Sequence, residues 1–168
     1  YYYFFVSLII LLLVTFGAMR LPTLWNWVAF ALTTALVFVL PQIVIANGQI
    51  LLVTYWNPLN FLPYPFAAVL IHRYQDRLLA NARNLTLFLL SMLATTFAFA
   101  AYEWTHYVQG AFFAEGVAIP VYTRASLIFL AAGAVVLALR PWKEAPRVIR
   151  FMSAYSLGLF LLHGFFRP

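Results

Sequence analysis

Ser153-Ala154-Tyr155-Ser156-Leu157-Gly158-Leu159-Phe160-Leu161-Leu162-His163-Gly164 is an apolar run broken only by small and hydroxyl residues, with one histidine near its far end. An ionisable ring inside a membrane-length apolar segment marks a site by default. At about 100° per residue, Ser156 and His163 share one helical face, and Ser153 flanks that face at about 60°. Ser156 and His163 stand about 10 Å apart along the axis, too far to form a Ser–His dyad by themselves. The face turns inward on either of two readings. It is a seam of small and hydroxyl residues that lets helices pack closely, or it lines a substrate cavity with His163 as the ionisable group.

Immediately upstream lies Arg140-Pro141-Trp142-Lys143-Glu144-Ala145-Pro146-Arg147-Val148-Ile149-Arg150, a basic loop between apolar runs. The same alternation extends over the whole chain. It is 65% hydrophobic, 19% aromatic and 8% charged, with mean hydropathy +0.93. Soluble domains carry about 25% charged and about 45–50% apolar residues. A soluble fold of this length cannot hide so much apolar surface, so the fold class is all-α: a polytopic transmembrane helical bundle.

Helical spans need roughly 20 apolar residues. Six segments meet or approach that: span A at 2–18, B at 25–46, C at 61–72, D at 84–102, E at 125–139 and F at 151–166. Trp25 and Trp27 mark an interface end of B, and Pro41 predicts a kink in it. Pro58, Pro63 and Pro65 break residues 49–64, which read as a connecting or re-entrant segment leading into C. The A–B, C–D and E–F loops hold eight cations, Arg20, Arg73, Arg77, Arg83, Arg140, Lys143, Arg147 and Arg150, against Arg124 and Arg167 on the other side. That split places those three loops in the cytoplasm and argues that residues 57–72 include a true crossing rather than only a re-entrant turn.

Net charge is +6 and the pI about 9.9. The cations lie in loops between spans and form no separate basic domain, so a nucleic-acid partner is not expected and the bilayer is. Arg73 and Arg77, four apart, can share one face of a helical extension of span C and meet the phosphates of a donor. Their simpler role is topology and anionic headgroups. Zero cysteines exclude disulfides, thiol catalysis and Cys-ligated metal. On the outer face, the loop 103–123 carries Glu103, His106 and Glu115, with Arg124 at the edge of span E. A His–Glu pair there suits acid–base work, although mobile outer loops often carry such residues with no chemical role. Their spacing matches no metal site. Asn84-Leu85-Thr86 matches the glycosylation sequon, but it sits at a helix start on the cytoplasmic side, where Asn81 or Asn84 is expected to serve as the cap.

The stretch Ala154–His163 resembles the last conserved span of the acyltransferase-3 family of membrane acyltransferases, which has a Ser-Tyr-Ser-apolar-Tyr-Leu-apolar-His pattern there. Gly158 departs from it where the family often has an aromatic residue. Tyr2-Tyr3-Phe4-Phe5-Val6 is similar to the aromatic-rich start of a middle span. Phe61-Leu62-Pro63-Tyr64-Pro65-Phe66 leading to Arg73-Tyr74 is similar to the family's Pro-Phe-rich short span before a basic loop.

The resemblance implies that residues 1–168 are a single integral membrane domain, the C-terminal part of a larger bundle of about ten helices. It implies O-acyl transfer, commonly of acetyl, from acyl-CoA as co-substrate to a hydroxyl of a sugar, an envelope glycan or a lipid-linked sugar, with no permanently bound cofactor. The expected location is a bacterial inner membrane. The family's best-known residues, an arginine followed by a histidine in the first span and then an Arg-x-x-Arg pair, would precede Tyr1. Arg147-Val148-Ile149-Arg150 has that pair's spacing but sits before the last span and is not equated with it. The catalytic base is thus expected upstream, with His163, Ser156, Tyr155 and Ser153 lining the cavity and Arg73 and Arg77 at the donor phosphates. A transporter or flippase for a lipid-linked or hydrophobic substrate is the alternative, since Pro-broken segments suit discontinuous helices. The near absence of charge within the spans speaks against it.

Overall fold

The computed structural model describes residues 2–47, 52, 57–108 and 124–140. Among these residues there are five α-helices and no strand: α1 Tyr2–Arg20, α2 Thr23–Asn47, α3 Pro63–Leu79, α4 Ala82–Glu103 and α5 Ser126–Ala138. Ser153, Tyr155, Ser156 and His163, with all of span F and the loop 141–150, lie outside the described residues, as does Glu115.

Each boundary has a local cause. Arg20 sits in the last turn of α1, where a cation faces the carbonyl end of the helix dipole. Asn57 caps a 3-10 turn, Pro58–Phe61, by accepting from the Leu59 N–H at 3.0 Å. Pro63 then opens α3 at a position where its missing N–H costs nothing. Asn81 caps α4 by accepting from the Arg83 N–H at 2.8 Å, which settles the cap between the two expected asparagines. Asn84 instead reaches back, its Nδ2 donating to the Arg77 carbonyl at 3.3 Å. Pro41 lies inside α2 and removes one backbone donor there.

The stretch from His72 to Arg83, expected as a basic loop, is mostly helix. Helix α3 runs on through Arg73 and Arg77 to Leu79, and only Ala80 and Asn81 separate it from α4. Nothing in Arg73-Tyr74-Gln75-Asp76-Arg77 breaks a helix. Its polarity signals departure from an apolar medium, not the end of the helix.

Helix α3 is the hub and packs against α1, α2, α4 and α5, while α4 also lies along α5. Ile71, Leu85, Ala132 and Val136 form one buried cluster, flanked by Phe88, Leu89 and Met92. Val37, Ala125 and Ile128 form another, flanked by Phe30, Phe38, Tyr64 and Phe99. The α4–α5 approach is close: a Cβ placed on Gly133 would stand 3.4 Å from the Met92 Cβ. Small residues at such crossings let backbones pack where lipid supplies no hydrophobic drive.

Exposure is inverted relative to a soluble protein. Leu12, Leu13, Leu24, Leu32 and Phe97 are each at least 61% exposed, whereas Asn26, Glu103 and Ser126 are buried. Hydroxyls on the apolar helices bond their own backbone, as when Thr15 donates to the Leu11 carbonyl and Thr96 to the Met92 carbonyl. Thr23–Val44 and Ala82–His106 are long and apolar enough to cross a membrane. With 22 residues, α4 alone extends ~33 Å, against a hydrocarbon core of about 30 Å. Helix α5, with 13 residues, extends ~20 Å.

Candidate active site

Because successive helices run up and down, cations far apart in sequence meet at one end. Arg73 proves the arrangement. Its Nη2 donates to the Met19 carbonyl at 2.9 Å and the Leu21 carbonyl at 2.7 Å, and its Nη1 donates to Thr23 Oγ1 at 3.1 Å. The end of α1, the start of α2 and the end of α3 therefore share one level, with Arg20, Arg77 and Arg83 close to it in sequence. These are loops expected to be cytoplasmic. Asn26 completes the α1–α2 corner. It is fully buried, and its Nδ2 donates to the carbonyls of Ala18, Leu21 and Pro22 at 3.0–3.3 Å. Each of these carbonyls also accepts a second bond, Ala18 from the Leu21 N–H, Pro22 from the Asn26 N–H and Leu21 from Arg73, so the amide ties together a turn that is already hydrogen-bonded.

The opposite end is set by two further contacts. Gln42 Nε2 donates to Tyr102 Oη at 3.3 Å. Ser126 donates twice to Glu103, from its N–H at 3.0 Å and its Oγ at 2.6 Å. Glu103, expected on an outer loop, is instead the last residue of α4 and is buried against the first turn of α5. It makes no hydrogen bond with His106 among the described residues, so the expected His–Glu pair does not form. His106 lies in a π-helical turn, Trp104–Val108, and its ring stacks on Tyr102 at 3.9 Å between centroids. Its Nδ1 is 2.8 Å from the Tyr102 carbonyl. The same Nδ1 lies 2.9 Å from Thr105 Oγ1, so both of its contacts are with its own helical turn.

Between these ends, α2, α3, α4 and α5 enclose a cleft of about 320 Å³. Trp27 and Phe30 wall it from α2, Leu70, Ile71 and Tyr74 from α3, Phe88 and Met92 from α4, and Phe129 from α5. The aromatic rings brace one another: Trp27 lies 6.2 Å from Tyr74, and Phe30 meets Phe129 edge-on at 6.3 Å. Arg77 and Asn84 stand at the basic end of the cleft. The Arg77 guanidinium makes no hydrogen bond among the described residues, one turn beyond an Arg73 whose donors are committed to the corner. Sequence spacing puts both arginines on α3 but shows neither the cleft nor the corner, because both depend on which helices are neighbours. Asn26 gives no sequence signal beyond being an amide near an apolar span.

A family model described as an acyltransferase domain matches residues 1–167. The chain belongs to the acyltransferase-3 family. No curated protein and no solved structure matches it. This acyltransferase transfers acyl groups other than aminoacyl groups and so takes an acyl donor and an acceptor. Family members are membrane proteins, in keeping with the two membrane-length helices and the inverted exposure. Within the acyltransferase, no three His, Cys, Asp or Glu side chains gather as a metal site among the described residues.

Proposed function

We propose that this acyltransferase carries an acyl group, acetyl in the first instance, from acyl-CoA to a hydroxyl of a sugar in an envelope glycan or a lipid-linked sugar. The acceptor oxygen attacks the thioester carbonyl, the C–O bond forms as the C–S bond breaks, and the hydroxyl proton passes through a general base to the departing thiolate. The family resemblance assigns that base to a histidine upstream of Tyr1. His163, Ser156, Tyr155 and Ser153 are proposed as walls of the same cavity. The reading extends to about ten spans in all in a bacterial inner membrane, of which this chain would hold about six.

The observation that carries the donor side is the gathering of arginines at one end of the helices. A CoA is polyanionic, and guanidinium groups suit its phosphates. Of the two arginines expected in this role, Arg73 has its donors committed to the α1–α2 corner and Arg77 lines the apolar cleft, so the donor phosphates are proposed to fall to the remaining arginines near that end, Arg20 and Arg83. The test is transfer of labelled acetyl from acetyl-CoA to envelope glycan by the full-length protein in proteoliposomes. Label should appear in the glycan fraction with matched release of CoA. If no acyl-CoA, of any chain length, is bound or turned over, the reading is wrong.

A further inference from the structure

We propose that the cleft between α2, α3, α4 and α5 is a binding site for an anionic phospholipid of the cytoplasmic leaflet, with the lipid phosphate on Arg77 and one alkyl chain along the apolar walls. The order of chemistry along the cleft carries this. Helix positions place Arg77 and Asn84 at the basic end and Ala67, Met92 and Phe129 at the deep end. From Arg77 back to Ala67 is ten residues of one helix, ~15 Å, or half of the ~30 Å hydrocarbon core. The cleft is therefore one leaflet deep. Its volume of about 320 Å³ is at the small end for ligand sites, which span about 300–1,000 Å³.

Cation and hydrocarbon adjoin directly. A CoA lying here with its phosphates on Arg77 would put the amides of its pantetheine arm against Leu70, Ile71, Leu78 and Phe88, which have no polar side-chain atoms to replace the water those amides lose. A phospholipid has no such mismatch, because its chain begins close to its phosphate. Trp27 and Tyr74 at the same level have the amphipathic rings that suit the headgroup boundary. Basic pockets between helices on the cytoplasmic side are recognised sites for anionic headgroups. This goes beyond the acyl-transfer reading and does not depend on it. With Arg77 on a lipid, donor phosphates fall to the other arginines of that end.

The experiment uses the full-length protein in nanodiscs of unlabelled phosphatidylcholine containing a small fraction of phospholipid with brominated chains, which quench nearby indoles. The difference between wild type and Trp27→Phe isolates the signal of Trp27. Brominated phosphatidylglycerol should quench Trp27 about fivefold to tenfold more than the same fraction of brominated phosphatidylcholine, and Arg77→Ala should bring the ratio to near one. Arg83→Ala should leave it unchanged. Native mass spectrometry of the wild-type protein after limited delipidation should show one retained phosphatidylglycerol. Equal quenching by both lipids would overturn the proposal, as would a preference that survives Arg77→Ala or follows Arg83. Displacement of the brominated lipid by acetyl-CoA with Arg77 dependence would assign the cleft to the donor and overturn it too. So would absence of any quenching, since another part of the chain would then fill the cleft.

Discussion

Glu103 and Ser126 close α4 onto α5: the carboxylate at the end of one helix accepts both the N–H and the hydroxyl of the first residue of the other. Ala125, at the N-cap of α5, offers no side-chain oxygen of its own, so the cap is supplied by the neighbouring helix. An anion there also faces the positive end of the α5 dipole. The pair fixes the register of two helices that approach closely again at Gly133 and Met92.

Replacing Glu103 with Ala should lower stability by about 1–3 kcal/mol, because the Ser126 N–H and hydroxyl lose a charged acceptor in a buried place. At about 2–4 °C per kcal/mol for a domain of this size, the thermal midpoint falls by several degrees. Glu103→Gln, which keeps one accepting oxygen, should cost less. Thermal unfolding in detergent, followed by tryptophan fluorescence, orders the three proteins.

Arg73 and Arg77 should separate cleanly by readout. Arg73→Ala removes three hydrogen bonds from the α1–α2 corner and should cost about 1–3 kcal/mol of stability while preserving the preference for anionic lipid. Arg77→Ala should do the reverse. Coincident effects of the two variants on both measurements would contradict the separate assignments.

Asn26→Asp should be worse than Asn26→Ala. The amide nitrogen faces three carbonyls, and an ionised carboxylate in its place has no proton to donate and adds a buried charge. Asn26→Ala should cost about 1–3 kcal/mol. The ranking can be read from the yield of folded protein and from thermal midpoints.

The absence of cysteine makes sidedness directly measurable. Single substitutions Ala80→Cys and Thr105→Cys sit just beyond the two ends of α4 at exposed positions. A membrane-impermeant maleimide added to intact cells should label the second and spare the first until the membrane is opened. Labelling of both from outside would show that α4 does not cross as the charge distribution requires.

Much of the fold is legible in the sequence because apolar length and cation placement are local properties. Spans A, B and D were expected at 2–18, 25–46 and 84–102, and the helices run Tyr2–Arg20, Thr23–Asn47 and Ala82–Glu103. Errors arise where polarity is taken for irregular backbone. Arg73–Arg77 is polar yet helical because nothing in it breaks a helix, and Glu103 is charged yet buried because it meets Ser126 on another helix. The expected helical extension carrying Arg73 and Arg77 is present, but their different surroundings follow from contacts with residues about fifty positions away, which no spacing rule encodes. His106 and Glu103, close in sequence, diverge because one faces α5 and the other stacks on Tyr102.

The α1–α2 corner has a consequence for biogenesis. Leu21's carbonyl is held by both Asn26 and Arg73, one a few residues downstream and the other more than fifty. Until α3 has been made, only the asparagine is available to close the turn. The arginine arrives with α3, the helix that touches all the others. The α1–α2 turn is thus closed in part by a local amide, and its remaining side-chain hydrogen bonds wait for the docking of α3.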